Sequence, residues 1–323
     1  MRAIRVTAFG GPDVLTLADV PDPEPGPGQI RVRVHAAGVN PVDTYIRSGT
    51  YASKPALPYT PGSDAAGVVD RLGDGVTGPA VGDRVYTAGP MNASTGSYAA
   101  LTVTDARNVH ALPPSVSFAQ GAAVGVPCST AWRALFQKAR VVAGETVLVH
   151  GGSGSVGSAA IQLARAAGLT VIATAGSARG LALVTELGAH HAVDHSQADY
   201  LAAVKTAAGG RGPDVIVEML ANVNLAHDAE LLAPRGRIVV VGSRGSLDFA
   251  PRLLMGKDAT VFGMTLANMT ADEWRGVNAG VQAALAAGTL KPVVNRELPL
   301  ADAAKAHEAV MGGGAAGKIV LVP

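Results

Sequence analysis

Two textures divide the chain. As far as residue 120, apolar positions recur at every second residue in short runs, as at Ile30, Val32 and Val34, the spacing of strands half-buried in a sheet. Gly, Pro and Asp clusters at 21–28, 73–82 and 88–96 interrupt these runs. The prolines of the first cluster make it a stiff connector. Short strands at such intervals predict a β-rich barrel or irregular sheet. Near residue 122 the pattern changes. Val156, Ala160, Leu163 and Ala167 follow one another at helical spacing. Strands are predicted at 146–150, 169–174, 214–220 and 237–242, and helices at 178–187, 199–208 and 224–232. Strands alternating with helices predict a parallel sheet covered on both faces. Beyond residue 263 the pattern is mostly helical, at 271–287 and 300–311, before a last strand at 318–322.

Length and composition narrow the picture. A chain of 323 residues has room for two domains and a large core. Its 48% apolar and 16% charged content excludes intrinsic disorder. The 40 glycines follow no three-residue period, so they signal tight turns and close approaches of backbone. A net charge of +1 provides no bulk attraction to nucleic acid or a membrane surface. The single cysteine, Cys128, rules out a disulfide framework and a cysteine-rich zinc site. No apolar run is long enough to span a bilayer, and the N-terminus enters a strand-like pattern with no signal-peptide core. A cytoplasmic location is expected.

Between the strand at 146–150 and the following helix lies His150-Gly151-Gly152-Ser153-Gly154-Ser155-Val156-Gly157. Gly152, Gly154 and Gly157 match G-x-G-x-x-G in its strand–turn–helix setting. The glycines permit the tight turn, the approach of a pyrophosphate and close helix–strand packing. The helix start offers N–H groups and the positive end of its dipole. Dinucleotide binding follows. The next strand ends in Thr174-Ala175-Gly176-Ser177-Ala178-Arg179, with no acid between Leu169 and Thr185. An acid there would hold the ribose hydroxyls of NAD. Ser177 and Arg179 instead suit the 2′-phosphate of NADP(H).

Longer strings carry a resemblance: Asn40-Pro41-Val42-Asp43-Thr44-Tyr45-Ile46-Arg47-Ser48-Gly49, Tyr59-Thr60-Pro61-Gly62-Ser63-Asp64, Glu218-Met219-Leu220-Ala221-Asn222-Val223-Asn224-Leu225 and Val241-Gly242-Ser243-Arg244-Gly245. Over essentially its whole length the chain resembles the zeta-crystallin-type quinone oxidoreductases, zinc-free members of the medium-chain dehydrogenase/reductase superfamily. The resemblance implies an α/β protein. A GroES-like β-rich catalytic domain would comprise 1–122 and 264–323, with a Rossmann doubly wound parallel-sheet domain inserted at 123–263. It also implies NADPH-dependent quinone reduction by a homodimer or homotetramer. Ser153, Gly154, Ser155 and Val156 would take the pyrophosphate. Gly176 and His195 would flank the adenosine end. Asn224, Val241, Gly242, Ser243, Arg244, Met264, Thr265 and Leu266 would line the ribose and nicotinamide side. Tyr45 and Thr130 would lie near the cofactor, and Lys318 would add charge near the 2′-phosphate. Two departures stand out. Ser155 replaces a glycine usual in the turn, which requires that it avoid positive φ. Cys128-Ser129 stands where an aromatic pair is expected.

Zinc alcohol dehydrogenases place a ligand Cys at the position of Asn40 and His-Glu at Ser63-Asp64. An amide and a hydroxyl cannot replace that thiolate and imidazole, and without a Lewis acid alcohol oxidation loses its alkoxide stabilisation. A quinone needs less, because the cofactor carries the difficult chemistry. Asn40, Tyr45 and Tyr51 are the expected polar lining for developing oxyanion charge.

Other signals carry less. The glycine run at 312–318 nearly spells a P-loop but places Ile319 where Ser or Thr is required. His190-His191 with Asp194 reads as a loop, His307-Glu308 as a solvated pair on a helix, and the sequence identifies no base to activate Cys128 as a nucleophile. No G-x-S-x-G elbow occurs. Two further functions remain open on this scaffold. One is NADPH-dependent reduction of enone C=C bonds, which needs a proton donor at the α-carbon. The other is non-catalytic NADPH or AU-rich RNA binding, known among relatives and given little support by the near-neutral charge.

Overall fold

The computed structural model describes all residues except 91–94 and 315. Part of the 88–96 turn cluster and one residue of the 312–318 glycine run therefore lie outside the described residues. The chain forms two compact units, one from residues 1–126 and 291–323, the other from 127–290.

The first unit is built from both ends of the chain. Its seven-stranded sheet runs Val294–Pro299, Lys318–Val322, Gln29–Val39, Asp64–Leu72, Arg84–Thr87 and Val109–Ala111, with Leu101–Asp105 also paired to Gln29–Val39. The alternation in the sequence is realised in the long strand. Ile30, Val32 and Val34 are buried while Arg33 and His35 are exposed. Arg31 breaks the pattern and is buried, with Asp70 2.6 Å from its Nε. One core packs Ile4, Val6, Val39, Tyr98 and Leu321; another packs Ile30, Val32, Val69 and Val85. The strand Lys318–Val322 is paired on both sides: it lies parallel to the edge strand Val294–Pro299 and antiparallel to Gln29–Val39.

The second unit holds six parallel strands, β1 (Thr146–Val149), β2 (Thr170–Ala175), β3 (His191–Asp194), β4 (Val215–Glu218), β5 (Arg237–Val240) and β6 (Thr260–Gly263). Their order is β3-β2-β1-β4-β5-β6, the doubly wound arrangement expected. Leu148, Ile172, Ile216 and Ile238, one from each central strand, meet in its core. Helices Ser155–Ala166, Ala178–Glu186, Tyr200–Ala207 and Ala221–Leu231 form within a residue or a few of their predicted places.

Three expectations need correction. Residues 191–194, read as a loop, form edge strand β3. Strand β6 was not anticipated. The chain returns to the first unit at Lys291, not at 264. The helix Ala271–Ala286 belongs to the second unit. Its N-terminal end is fastened there by a bond from Gln137 Nε2 to the Glu273 carbonyl (2.9 Å) and by Arg133 Nη2, 3.4 Å from the Glu273 carboxylate.

Candidate functional site

In an open parallel sheet, ligands bind beyond the carboxyl ends of the strands, where the strand order reverses. Here the reversal lies between β1 and β4. Most residues expected to hold the cofactor sit on this edge. Gly152, Ser153, Gly154, Ser155, Val156 and Gly157 follow β1; Gly176, Ser177 and Arg179 follow β2; His195 follows β3. Asn224 lies on the helix after β4, Val241–Arg244 follow β5, and Met264, Thr265 and Leu266 follow β6. Residues from 152 to 266 are thus brought to one edge by parallel topology alone.

The turn after β1 is held by β2: Gly151 N donates to Thr174 Oγ1 at 3.1 Å and Gly152 N to the Thr174 carbonyl at 2.7 Å. A Cβ on Gly157 would lie 2.4 Å from the Gly151 carbonyl oxygen, so only glycine lets the helix start this close to the turn. The helix begins at Ser155 with Gly154 as N-cap and no side chain capping it. Its first N–H groups are therefore left without a capping side chain, as an anion requires. Ser155 is the first helical residue, so its substitution for glycine causes no strain. The residues present fit a dinucleotide.

After β2, Ser177 caps the helix Ala178–Glu186, its hydroxyl accepting from Gly180 N at 3.1 Å. Arg179 is exposed in the first turn. The His195 ring lies over Gly176, where a Cβ would meet Nε2 at 2.5 Å. Thr130 is buried in the helix Gly125–Trp132, which precedes β1.

Behind the turn sits a buried group that sequence reasoning missed. His150 directly follows β1, Glu218 ends β4 and Asp228 lies on the helix Ala221–Leu231. His150 Nε2 is 2.8 Å from Asp228 Oδ1 and 3.6 Å from Glu218 Oε2. Glu218 accepts from Leu220 N and, at 3.2 Å, from Asn224 Nδ2. Burial raises Glu218 to about 7 against the pull of His150. Burial opposes charge on His150 as well, but Asp228 and Glu218 outweigh it and raise its pKa. The visible signal was Glu218 closing an apolar Val-Ile-Val run: a charge there demands a buried partner.

The first unit holds a second buried network. Lys318 is 1% exposed, and its Nζ donates to Asn40 Oδ1 and, at 2.8 Å, to Asp64 Oδ2. Asn40 Nδ2 also donates to Asp64 Oδ2, at 2.9 Å, and Val126 N to Oδ1 at 2.8 Å. The Lys318 ammonium is thus committed to Asp64 inside this unit and is not offered to a phosphate. An amide and a carboxylate already joined by an ammonium do not make a zinc donor set. Asn40 keeps one N–H of its amide beyond the bond to Asp64. Tyr45 and Tyr51 are partly exposed, and the Tyr45 carbonyl ties the following turn by accepting from Thr50 N and Tyr51 N.

Next to Asn40, Asp43 Oδ2 accepts from Asn40 N at 2.8 Å and from Tyr98 Oη at 3.1 Å, and Tyr98 Oη lies 3.2 Å from His307 Nε2. His307, expected in solvent, is 1% exposed. The helix Ala303–Met311 buries the face carrying Ala303, Ala306 and His307. Burial, aided by Arg47, lowers His307 to about 3, while burial lifts Asp43 to about 7.

A doubly wound dinucleotide fold joined to a β-rich unit made from both chain ends defines the medium-chain dehydrogenase/reductase class. Residues 26–114 match the family described as alcohol dehydrogenase GroES-like domain, and 155–294 match zinc-binding dehydrogenase. A rat protein named quinone oxidoreductase is 49% identical, the alignment covering 100% of this chain and 98% of the relative. An NAD-dependent alcohol dehydrogenase structure superposes with TM-score 0.91 at 32% identity, covering 100% of both chains. An Escherichia coli quinone oxidoreductase complexed with NADPH superposes with TM-score 0.87 at 29% identity, again covering 100% of both. The chain belongs to the zeta-crystallin-type quinone oxidoreductase family.

Proposed function

We propose that the protein is an NADPH:quinone oxidoreductase that works without zinc. The observation carrying this reading is the uncapped helix start behind Gly154, on the sheet edge that also presents Arg179 and His195. The quinone oxidoreductase relative at 49% identity over the whole chain supports the substrate class. NADPH supplies the reducing equivalents. The amides of Ser155, Val156 and Gly157 bind the pyrophosphate, Arg179 and Ser177 the 2′-phosphate, and His195 stacks towards the adenosine. Val241, Gly242, Ser243 and Arg244 with Met264, Thr265, Leu266 and Asn224 orient the nicotinamide half. Tyr45, Tyr51 and the remaining amide N–H of Asn40 bear the negative charge developing on the quinone oxygen, with Lys318 and Asp64 fixing the amide's orientation.

Among the described residues no helix is long and apolar enough to cross a membrane. A reducing, cytoplasmic setting is supported by the sole cysteine, Cys128, which is buried. Edge strand β6 carries the half-buried Val261 and Phe262 with one side unpaired in the sheet, which supports assembly with a second copy. Steady-state NADPH oxidation with 1,2-naphthoquinone, compared with an enone, tests the activity. Turnover confined to the enone, or to neither, overturns it.

A further inference from the structure

The buried group behind the phosphate turn can be accounted for proton by proton. His150, Glu218 and Asp228 form, among the described residues, the grouping of His, Cys, Asp or Glu whose candidate ligand atoms lie within 4.8 Å of one another. Their side chains are 5%, 0% and 0% exposed. With both carboxylates ionised the group carries a net negative charge even when the imidazole is protonated, and uncompensated buried charge is costly. The hydrogen bonds locate what is missing. Asp228 Oδ1 is taken by His150, whereas Asp228 Oδ2 is buried with no partner. Glu218 stands beside it and receives bonds from Leu220 N and Asn224 Nδ2.

We propose that Glu218 and Asp228 share one proton, bridging Asp228 Oδ2 to the Glu218 carboxyl, and that this neutral His150–Asp228–Glu218 lock positions the dinucleotide turn. The proton satisfies the orphaned oxygen and brings the group to zero net charge with His150 protonated. The rise of Glu218 through burial runs in the direction required. The connections explain the positioning role. His150 is itself the residue before Gly151–Gly157, and Met219, next to Glu218, packs against Gly151. Asn224, expected on the nicotinamide side, hangs from Glu218. One proton thus ties the pyrophosphate end of the site to the helix after β4. The other titratable group facing the lock is Tyr200, on the helix Tyr200–Ala207, whose pKa burial raises together with the charges of Asp228 and Glu218. A divalent ion would need the same oxygens in their ionised form, and is the competing occupant.

This proposal rests on the dinucleotide reading above but not on the identity of the acceptor. It is tested by NADPH binding, followed by fluorescence without quinone, and by infrared spectroscopy of the protein alone. The wild type is expected to show a protonated-carboxyl C=O band at pH 6 that Glu218→Gln removes. Its NADPH affinity is expected to weaken several-fold, about fivefold, between pH 6 and 8.5, as a second negative charge appears behind the phosphate site. Glu218→Gln, which keeps a donor to Asp228 and an acceptor for Leu220, is expected to flatten this profile relative to wild type. Asp228→Ala is expected to weaken binding at both pH values. A protonated-carboxyl spectrum unchanged by Glu218→Gln, an unchanged slope in Glu218→Gln, or zinc bound stoichiometrically and lost in Glu218→Gln would each overturn the lock. Loss of quinone turnover with the band and the slope intact would instead count only against the proposed activity.

Discussion

Arg179 and Lys318 are both cations of the expected cofactor set, and the structure gives them opposite tasks. Arg179 is exposed at the start of a helix beyond β2, where a guanidinium can meet a phosphate. Arg179→Ala is expected to weaken NADPH binding about tenfold to a hundredfold, the loss of a charge-assisted bond, with NADH little changed. Equal loss for both cofactors in a fluorescence titration would remove Arg179 from the 2′-phosphate. Lys318 holds Asp64 and Asn40 together in a dry interior. Lys318→Met leaves a buried carboxylate without its counter-ion and is expected to cost about 3–5 kcal/mol of stability. Adding Asp64→Asn should recover much of that in urea unfolding; a single variant as stable as wild type would show that the pair is dispensable.

At the level of elements, the phosphate turn depends on how closely the helix Ser155–Ala166 meets β1. The Cβ of Gly157→Ala would press on the Gly151 carbonyl oxygen, a backbone atom that cannot rotate away. NADPH binding by calorimetry is therefore expected to be lost, with about 1–3 kcal/mol of destabilisation from overpacking. This part of the fold was legible because central strands are uniformly apolar and their helices carry a clear stripe. The edges were not. In β3, His191 and Ala192 are exposed, and in β6 Thr260 and Gly263 are, so neither presents the apolar run by which a buried strand is recognised. The helix Ala271–Ala286 was seen but assigned to the wrong unit, since periodicity reports a buried face and not what covers it. The same limit hid His307: its helix was anticipated, but the buried arc extends one position further than its alanines indicate. Asp64, Glu218 and Lys318 each border apolar runs, yet His150, the cation facing Glu218, lies on another strand and Lys318 lies 254 residues beyond Asp64, pairings that spacing does not show.

For the whole molecule, the buried titratable groups set how stability responds to pH. His307 is neutral in the fold and protonatable once unfolded, so it makes folding more favourable as pH rises from about 3 to the ordinary imidazole value near 6.5. Asp43 holds its proton in the fold up to about 7 and loses it near 4 when unfolded, so its contribution declines over nearly the same range. The two offset each other. In His307→Gln the offset disappears, and unfolding free energy is expected to fall about 1.4 kcal/mol per pH unit more steeply than in wild type between about pH 4.5 and 6.5. Parallel slopes in urea titrations would show that His307 takes up a proton without unfolding. The interleaving of strands has a temporal consequence as well. Because Lys318–Val322 is seated between Val294–Pro299 and Gln29–Val39, a ribosome releases the whole doubly wound unit before the first unit can close. Asn40 and Asp64 wait for a cation that follows Asp64 by 254 residues, so a lesion that removes Lys318–Val322 would yield a chain with one finished half and one unzipped sheet.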